Sequence, residues 1–383
     1  MDYNRFGFEI LKSHGYEVHV WDFSPLLVKK AYKQYKAPDP IKYKYHELIF
    51  NKSDFNKISN RLNNSTIVSL IGLRLETKFV FNYLKENEIP FGFCCLGELP
   101  TKPRSVLDNV ISGFQNPNLI ISKIKLLIQR KVINHIYPNF IIMGGEKGYK
   151  SNRYPKNSST ELIKSHALDY DLYLNEEDKK PERIVNDDYA VFLDEFVPFH
   201  PDYYHMNIKP DCSSENYYPD INSFFDKVES KFDVKVVIAA HPRSDYYKKG
   251  NPFNKRVCIR NETINLVKYS KFVLAHASTS LNFAILYNKP MVFIKSHKYS
   301  VRFKNIIQFF SSIFGKKPIN IGRNGIDIDL NLIVNERMYK SYKQQYIKAV
   351  DTPEKSNWDI FADHINKRSE NLVYTIDKKE LTS

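Results

Sequence analysis

Three short segments in the second half of the chain carry the side chains best suited to chemistry, and each follows an apolar run of strand type. Val234–Ala240 (VKVVIAA) ends in His241-Pro242-Arg243-Ser244. Proline stops a strand, so His241 is expected at its carboxyl end. An imidazole beside a guanidinium suits a phosphate, because one donates a hydrogen bond and the other carries a permanent charge. Phe272–Ala275 (FVLA) ends in His276-Ala277, followed by Ser278-Thr279-Ser280 and a helix pattern over 278–287. Ser278 or Thr279 is a fitting N-cap, and the helix start would offer backbone N–H groups and hydroxyls to an anion. Tyr189–Leu193 (YAVFL) ends in Asp194-Glu195. Of two adjacent carboxylates, one that is desolvated can act as a general base. His200-Pro201 is a second His-Pro pair, placed inside a loop and so ranked below His241. Each segment also has a plain reading as a loop-capping histidine, an ordinary N-cap or a solvated turn. Their placement after strands of one half favours a shared site, since α/β sheets bind ligands at strand carboxyl ends.

The elements that must hold these residues alternate in β and α type. The first half shows strand-like runs at Glu17–Phe23, Thr66–Ile71, Phe91–Cys95 and Phe140–Met143, with helix patterns over 4–14, 75–87 and 119–134. The second half adds strand runs at Arg256–Ile259 and Met291–Ile294. Its helix patterns lie over 220–232, 262–269, 300–314, 334–350 and 356–367. The expected class is α/β, with two doubly wound, Rossmann-like domains facing a cleft and C-terminal helices closing the chain. The limits read as 1–185, 186–355 and 356–383, the last a helix and tail packing back toward the first domain. The chain opens on a helix, so the expectation is either that a leading strand is missing from this reading frame or that the first sheet is one strand smaller. Residues 149–188 are polar and read as the crossing between the domains.

Composition narrows the partners. With 383 residues and 14% aromatics, the chain can bury two cores, which excludes disorder. Thirteen glycines argue against glycine-fingered dinucleotide folds. The formal charge of +14 points to an anionic partner or to a merely lysine-rich proteome. Cys94, Cys95, Cys212 and Cys258 include no CxxC pair, which fits a reduced, cytoplasmic protein without structural zinc. No signal-peptide profile and no membrane-spanning apolar run are visible. Basic residues are scattered and no nucleic-acid-binding motif appears, so a nucleic-acid partner is not expected.

The stretch 189–295, VVIAAHPRS followed by KFVLAHASTSLNFAILYNKPMVFI, resembles GT-B-fold bacterial surface-polysaccharide glycosyltransferases. In style it is similar to the sialyltransferase-like and Kdo-transferase-like families. Their order of acidic pair, His-Pro and Ser/Thr motif matches Asp194-Glu195, His241-Pro242 and Ser278-Thr279-Ser280. The resemblance implies that His241 and the hydroxyl motif hold the phosphate of a CMP-activated acidic sugar. It implies that Asp194 or Glu195 takes the proton of an acceptor hydroxyl on a glycan or lipid-linked glycan. Those families place Gly after the acidic pair, whereas Phe196 stands here. Teichoic-acid-type polyol-phosphate transferases share the His-Pro and Ser-Thr arrangement, so a CDP-polyol or UDP-sugar donor is the alternative. A polyanion-binding scaffold is the non-enzyme alternative. A single displacement would invert the anomeric centre.

No cofactor is expected, and no metal, because a monophosphate leaving group lacks the diphosphate that Mg²⁺ bridges. Asp169-Tyr170-Asp171 and Asp327-Ile328-Asp329 fit a DxD metal motif by letters alone. The basic amphipathic pattern over 119–134 would suit an anionic membrane surface, with a packed helix as its plain reading. Arg5 and Gly144-Gly145 are minor candidates for the acceptor side.

Overall fold

In the computed structural model, which describes residues 5–34, 42–101, 133, 135–203, 208–322 and 329–367, the chain divides into two units. One is drawn mainly from Asp169–Ile347. The other takes Lys42–Leu168 together with the residues up to Lys29 and those from Lys348 on.

In the N-terminal unit, β1 (Val20–Asp22) and β2 (His46–Leu48) form a parallel pair. Strands β3 (Ile67–Ser69), β4 (Phe91–Cys95), β5 (Phe140–Gly144) and β6 (Glu161–Ser165) form a parallel sheet in that order. β4 and β5 are its inner strands and almost wholly buried, which is why both read as unbroken apolar runs. β6 lies inside the stretch expected to be a polar crossing. It is an edge strand that buries only Ile163 and Ser165 while exposing Leu162 and Lys164, so its apolar signal is weak. The helix over 357–367 belongs to this unit. Its Trp358 and Phe361 pack with Leu96, Phe140, Ile142 and Ile163. The Trp358 Nε1–H donates to the Arg5 carbonyl at 3.0 Å. Gly7, at φ 57°, lies against the same indole, where a Cβ would come within 2.1 Å of a ring atom.

The C-terminal unit holds β7 (Tyr189–Leu193), β8 (Lys235–Ala240), β9 (Cys258–Arg260), β10 (Phe272–Ala275), β11 (Met291–Ser296) and β12 (Ile319–Ile321). They form one parallel sheet ordered β12-β11-β10-β7-β8-β9. The chain steps outward from β7 to β9, then returns to the other side of β7 and steps outward again. The order reverses between β7 and β10, and that reversal defines the ligand crevice of a doubly wound sheet. The helix Ser214–Phe232 buries Ile221, Phe224, Phe225 and Val228 on one face, and begins six residues before the expected 220. The pattern over 334–350 resolves into the helix Glu336–Tyr342 and a π-helical turn, Lys343–Ile347.

The grouping changes at Leu168/Asp169 and Ile347/Lys348, against sequence-derived limits of 185/186 and 355/356. Polar contacts tie residues 169–177 to the C-terminal unit. Asp169 accepts from Asn282 at 2.9 Å, Glu176 from Asn265 at 3.0 Å and Glu177 from the Tyr287 hydroxyl at 3.2 Å.

Candidate functional site at the reversal of the C-terminal sheet

The two carboxylates after β7 face different surroundings. Asp194 is 5% exposed and fully engaged. Its Oδ1 accepts the Phe196 N–H at 2.9 Å, and its Oδ2 accepts the His241 N–H at 3.1 Å and the Tyr246 hydroxyl at 3.0 Å. The side chain therefore ties the end of β7 to the end of β8. Burial pushes its pKa up to about 6, against the pull of those three hydrogen bonds. Glu195 is half-buried, and its Oε1 accepts the Ala277 N–H at 2.7 Å. Since Ala277 follows β10, this bond spans the reversal point of the sheet. Burial, helped by the charges of Asp194 and Asp211 and opposed by the Ala277 bond, pushes Glu195 up to about 7. A carboxyl that titrates near neutrality is matched to general-base work.

Phe196 adopts φ 51°, the left-handed region that favours glycine. The turn that Asp194 caps thus demands the conformation for which glycine is usual. Phe196 accepts it while burying its ring, which is 6% exposed and lies against His241, Tyr246 and Phe199.

His241 stands directly after β8, as its neighbours in sequence implied. Pro242 and Arg243 fill the centre of a turn closed by the Ser244 N–H to the His241 carbonyl at 2.8 Å. The Arg243 N–H donates to His241 Nδ1 at 3.1 Å. Burial first, then His200 and Arg243, lower the His241 pKa to about 4 against the pull of Asp202. The ring is therefore neutral, and with Nδ1 accepting, its proton lies on Nε2 as a donor. The Arg243 guanidinium donates to Asp202 Oδ1 at 3.2 Å.

The hydroxyl segment differs from expectation. Neither Ser278 nor Thr279 caps the helix, which begins later, as Leu281–Leu286, with Ser280 as an N-cap that makes no side-chain bond. The N–H groups of Leu281, Asn282 and Phe283 bond the carbonyls of Ser278, Thr279 and Ser280. A tight turn with three-residue steps thus consumes the amides expected to meet an anion. The Ser280 N–H donates to Ser278 Oγ at 3.2 Å. Among the described residues, the N–H groups of Ser278 and Thr279 make no hydrogen bond, and with the hydroxyls of Ser278, Thr279 and Ser280 they are the donors this segment offers.

His200 lies against the site. Its ring centroid is 4.9 Å from that of His241. His276 does not reach the site in the same way. It is fully buried, with Nδ1 2.7 Å from the Ile294 carbonyl and Nε2 3.0 Å from the Tyr217 hydroxyl, and burial lowers its pKa to about 4.

The remaining candidates lie elsewhere. Asp169 is engaged with Asn282, and Asp171 is buried in the same helix. Asp327 and Ile328 lie outside the described residues, as do 119–132 and 134 of the basic amphipathic pattern. Among the described residues, no group of three or more His, Cys, Asp or Glu could hold a metal ion. Arg5 precedes the helix Phe8–Ser13 rather than lying in it. Gly144 meets the chain's own backbone: a Cβ there would lie 2.7 Å from the His166 carbonyl carbon, so this close approach serves the fold.

No protein-family model and no curated protein matches the chain. Solved structures do. A variant of the wall teichoic acid polymerase TagF aligns over 98% of this chain and 88% of its own, with 10% identity and TM-score 0.49. CalG4, the calicheamicin glycosyltransferase, aligns over 97% and 94%, with 8% identity and TM-score 0.48. MnaA of S. aureus, solved with UDP, aligns over 92% and 96%, with 12% identity and TM-score 0.42.

Proposed function

We propose that the chain is a GT-B-type glycosyltransferase that moves an acidic sugar of nonulosonic acid or Kdo type from a CMP-activated donor. The acceptor is a hydroxyl of a cell-surface glycan or lipid-linked glycan. The observation that carries this reading is the placement, at the carboxyl ends of the adjacent strands β7 and β8, of a carboxyl titrating near neutrality and an imidazole N–H donor: Glu195 after β7 and His241 after β8. The motif order over 189–295 supports the choice of donor.

In this reading Glu195 is the base and Asp194 is a positioning residue, because three donors already occupy the Asp194 oxygens. The acceptor oxygen attacks the anomeric carbon and gives its proton to Glu195. The bond from that carbon to the phosphate oxygen breaks, and the electron pair leaves with CMP. His241 Nε2–H, the Arg243 guanidinium and the donors at Ser278, Thr279 and Ser280 would meet the charge developing on the phosphate. Among the described residues no helix is long and apolar enough to cross a membrane. A lipid-linked acceptor would be met at an anionic membrane surface.

A thermal-shift panel with CMP, CDP, UMP, UDP and GDP, with and without Mg²⁺, tests the donor. A ligand at 100 times its Kd adds about 2.7 kcal/mol to a folded state that alone binds it. Stabilisation by CMP without metal, followed by transfer from CMP-sialic acid or CMP-Kdo, is the expected result. Preference for CDP or UDP would replace the donor with a polyol or neutral sugar. No response to any nucleotide would overturn the transferase reading in favour of a scaffold.

A further inference from the structure

We propose that the leaving phosphate is met by two histidines rather than one, with His200 supplying a second imidazole N–H beside that of His241. This rests on the transferase reading above and adds a residue to its site.

His200 sits seven positions after the end of β7, on the loop that carries Glu195, and is half-buried. Its ring centroid is 4.9 Å from that of His241, at an interplanar angle of 69°. The two rings share one contact, while His200 Nδ1 also lies 3.7 Å from Asp202 Oδ2. In each, Nδ1 accepts the backbone N–H of the residue two places on: Asp202 to His200 at 3.2 Å, and Arg243 to His241 at 3.1 Å. Each begins a His-Pro pair, and the proline supplies no N–H of its own to compete for the ring. With Nδ1 accepting, a neutral ring carries its proton on Nε2. Two neighbouring imidazoles are thus fixed in the donor tautomer at the far nitrogen.

Asp202 links the pair to the nearby cation. Its backbone N–H fixes His200, while its Oδ1 accepts from the Arg243 guanidinium at 3.2 Å. Two imidazole N–H donors and a guanidinium, held by one short loop and one turn, make a donor set for a phosphoryl group. A nucleoside lacking phosphate would make no use of it.

The test compares nucleotide with nucleoside. The affinities of CMP and cytidine, and of UDP and uridine, are measured by calorimetry on wild type, His200→Ala, His200→Gln and His241→Ala. In H200A the nucleotide that binds wild type is expected to weaken about tenfold or more, with the matching nucleoside unchanged. H200Q keeps an N–H at similar reach and should recover most of the loss. Equal nucleotide affinity in H200A and wild type, with H241A impaired, would overturn the second histidine and leave the transferase reading standing. Parallel weakening of nucleotide and nucleoside in H200A, not recovered in H200Q, would also overturn it, by showing a structural role. No binding of either nucleotide by wild type would overturn the transferase reading and this inference with it.

Discussion

Replacing Glu195 by Gln separates stability from catalysis. The wild-type carboxyl has its pKa raised from 4.5 to about 7, chiefly by burial. A carboxyl whose folded pKa lies above its unfolded one favours folding fully only below the unfolded value. That advantage is lost as pH rises through the folded value. The step from 4.5 to about 7 corresponds to about 3 kcal/mol, so above pH 8 the ionised Glu195 weakens the fold by roughly that amount. The amide of E195Q still accepts the Ala277 N–H, which wild type holds at 2.7 Å, and carries no charge. E195Q should therefore melt higher than wild type at pH 8 and show little difference near pH 4. At about 2–4 °C per kcal/mol for a domain of 150–250 residues, the gain should be several degrees. The same variant lacks the base, and its transfer rate should fall by about 10²–10⁴. In wild type, activity should rise with pH through about 7, because the base must be ionised. The assays are calorimetric melting from pH 4 to 8 and CMP release from a CMP-sugar in the presence of acceptor. An E195Q protein with more than a tenth of wild-type activity, or one no more stable than wild type at pH 8, would refute the assignment.

Asp194→Asn should act the opposite way. One donor among the Phe196 N–H, the His241 N–H and the Tyr246 hydroxyl would face an amide N–H. We expect about 1–3 kcal/mol lost in denaturant unfolding, with impaired nucleotide binding. His241→Ala should remove the nucleotide-induced melting shift while leaving the ligand-free melting temperature close to wild type, since the ring is half-buried at a strand end. His276 is held neutral with its pKa lowered to about 4, so its contribution is present above the unfolded value near 6.5 and lost as pH falls toward 4. His276→Gln should flatten acid unfolding across that window, as followed by circular dichroism.

The inner strands were legible because burial on both faces leaves an unbroken apolar run. Phe91–Cys95, Tyr189–Leu193 and Phe272–Ala275 fall where the residues put them. The three-residue β2 and β12 and the half-exposed β6 carry too little apolar signal to stand out. The candidate site was legible to the same extent, since chemistry-bearing residues directly follow readable strands. The division of labour between the carboxylates was not, because it depends on the Tyr246 hydroxyl and the Ala277 N–H, which are remote in sequence. Nor was the positive φ of Phe196, a residue type that gives no hint of it. His200 did share a readable signal with His241, the His-Pro pair. Only the fold shows that its loop turns back to the end of β8.

The docking of Trp358 against Gly7 and the Arg5 carbonyl also bears on the order of synthesis. These partners are separated by more than 350 positions, at 353 for the indole bond. A ribosome emitting this chain would release nearly the whole C-terminal unit, Asp169–Ile347, before the helix that completes the N-terminal core. Domains usually fold as they emerge, first in first out. Here the unit that begins to emerge first would wait for the helix over 357–367, and a nascent protein stalled before Trp358 would hold one finished sheet while the other stayed unsealed.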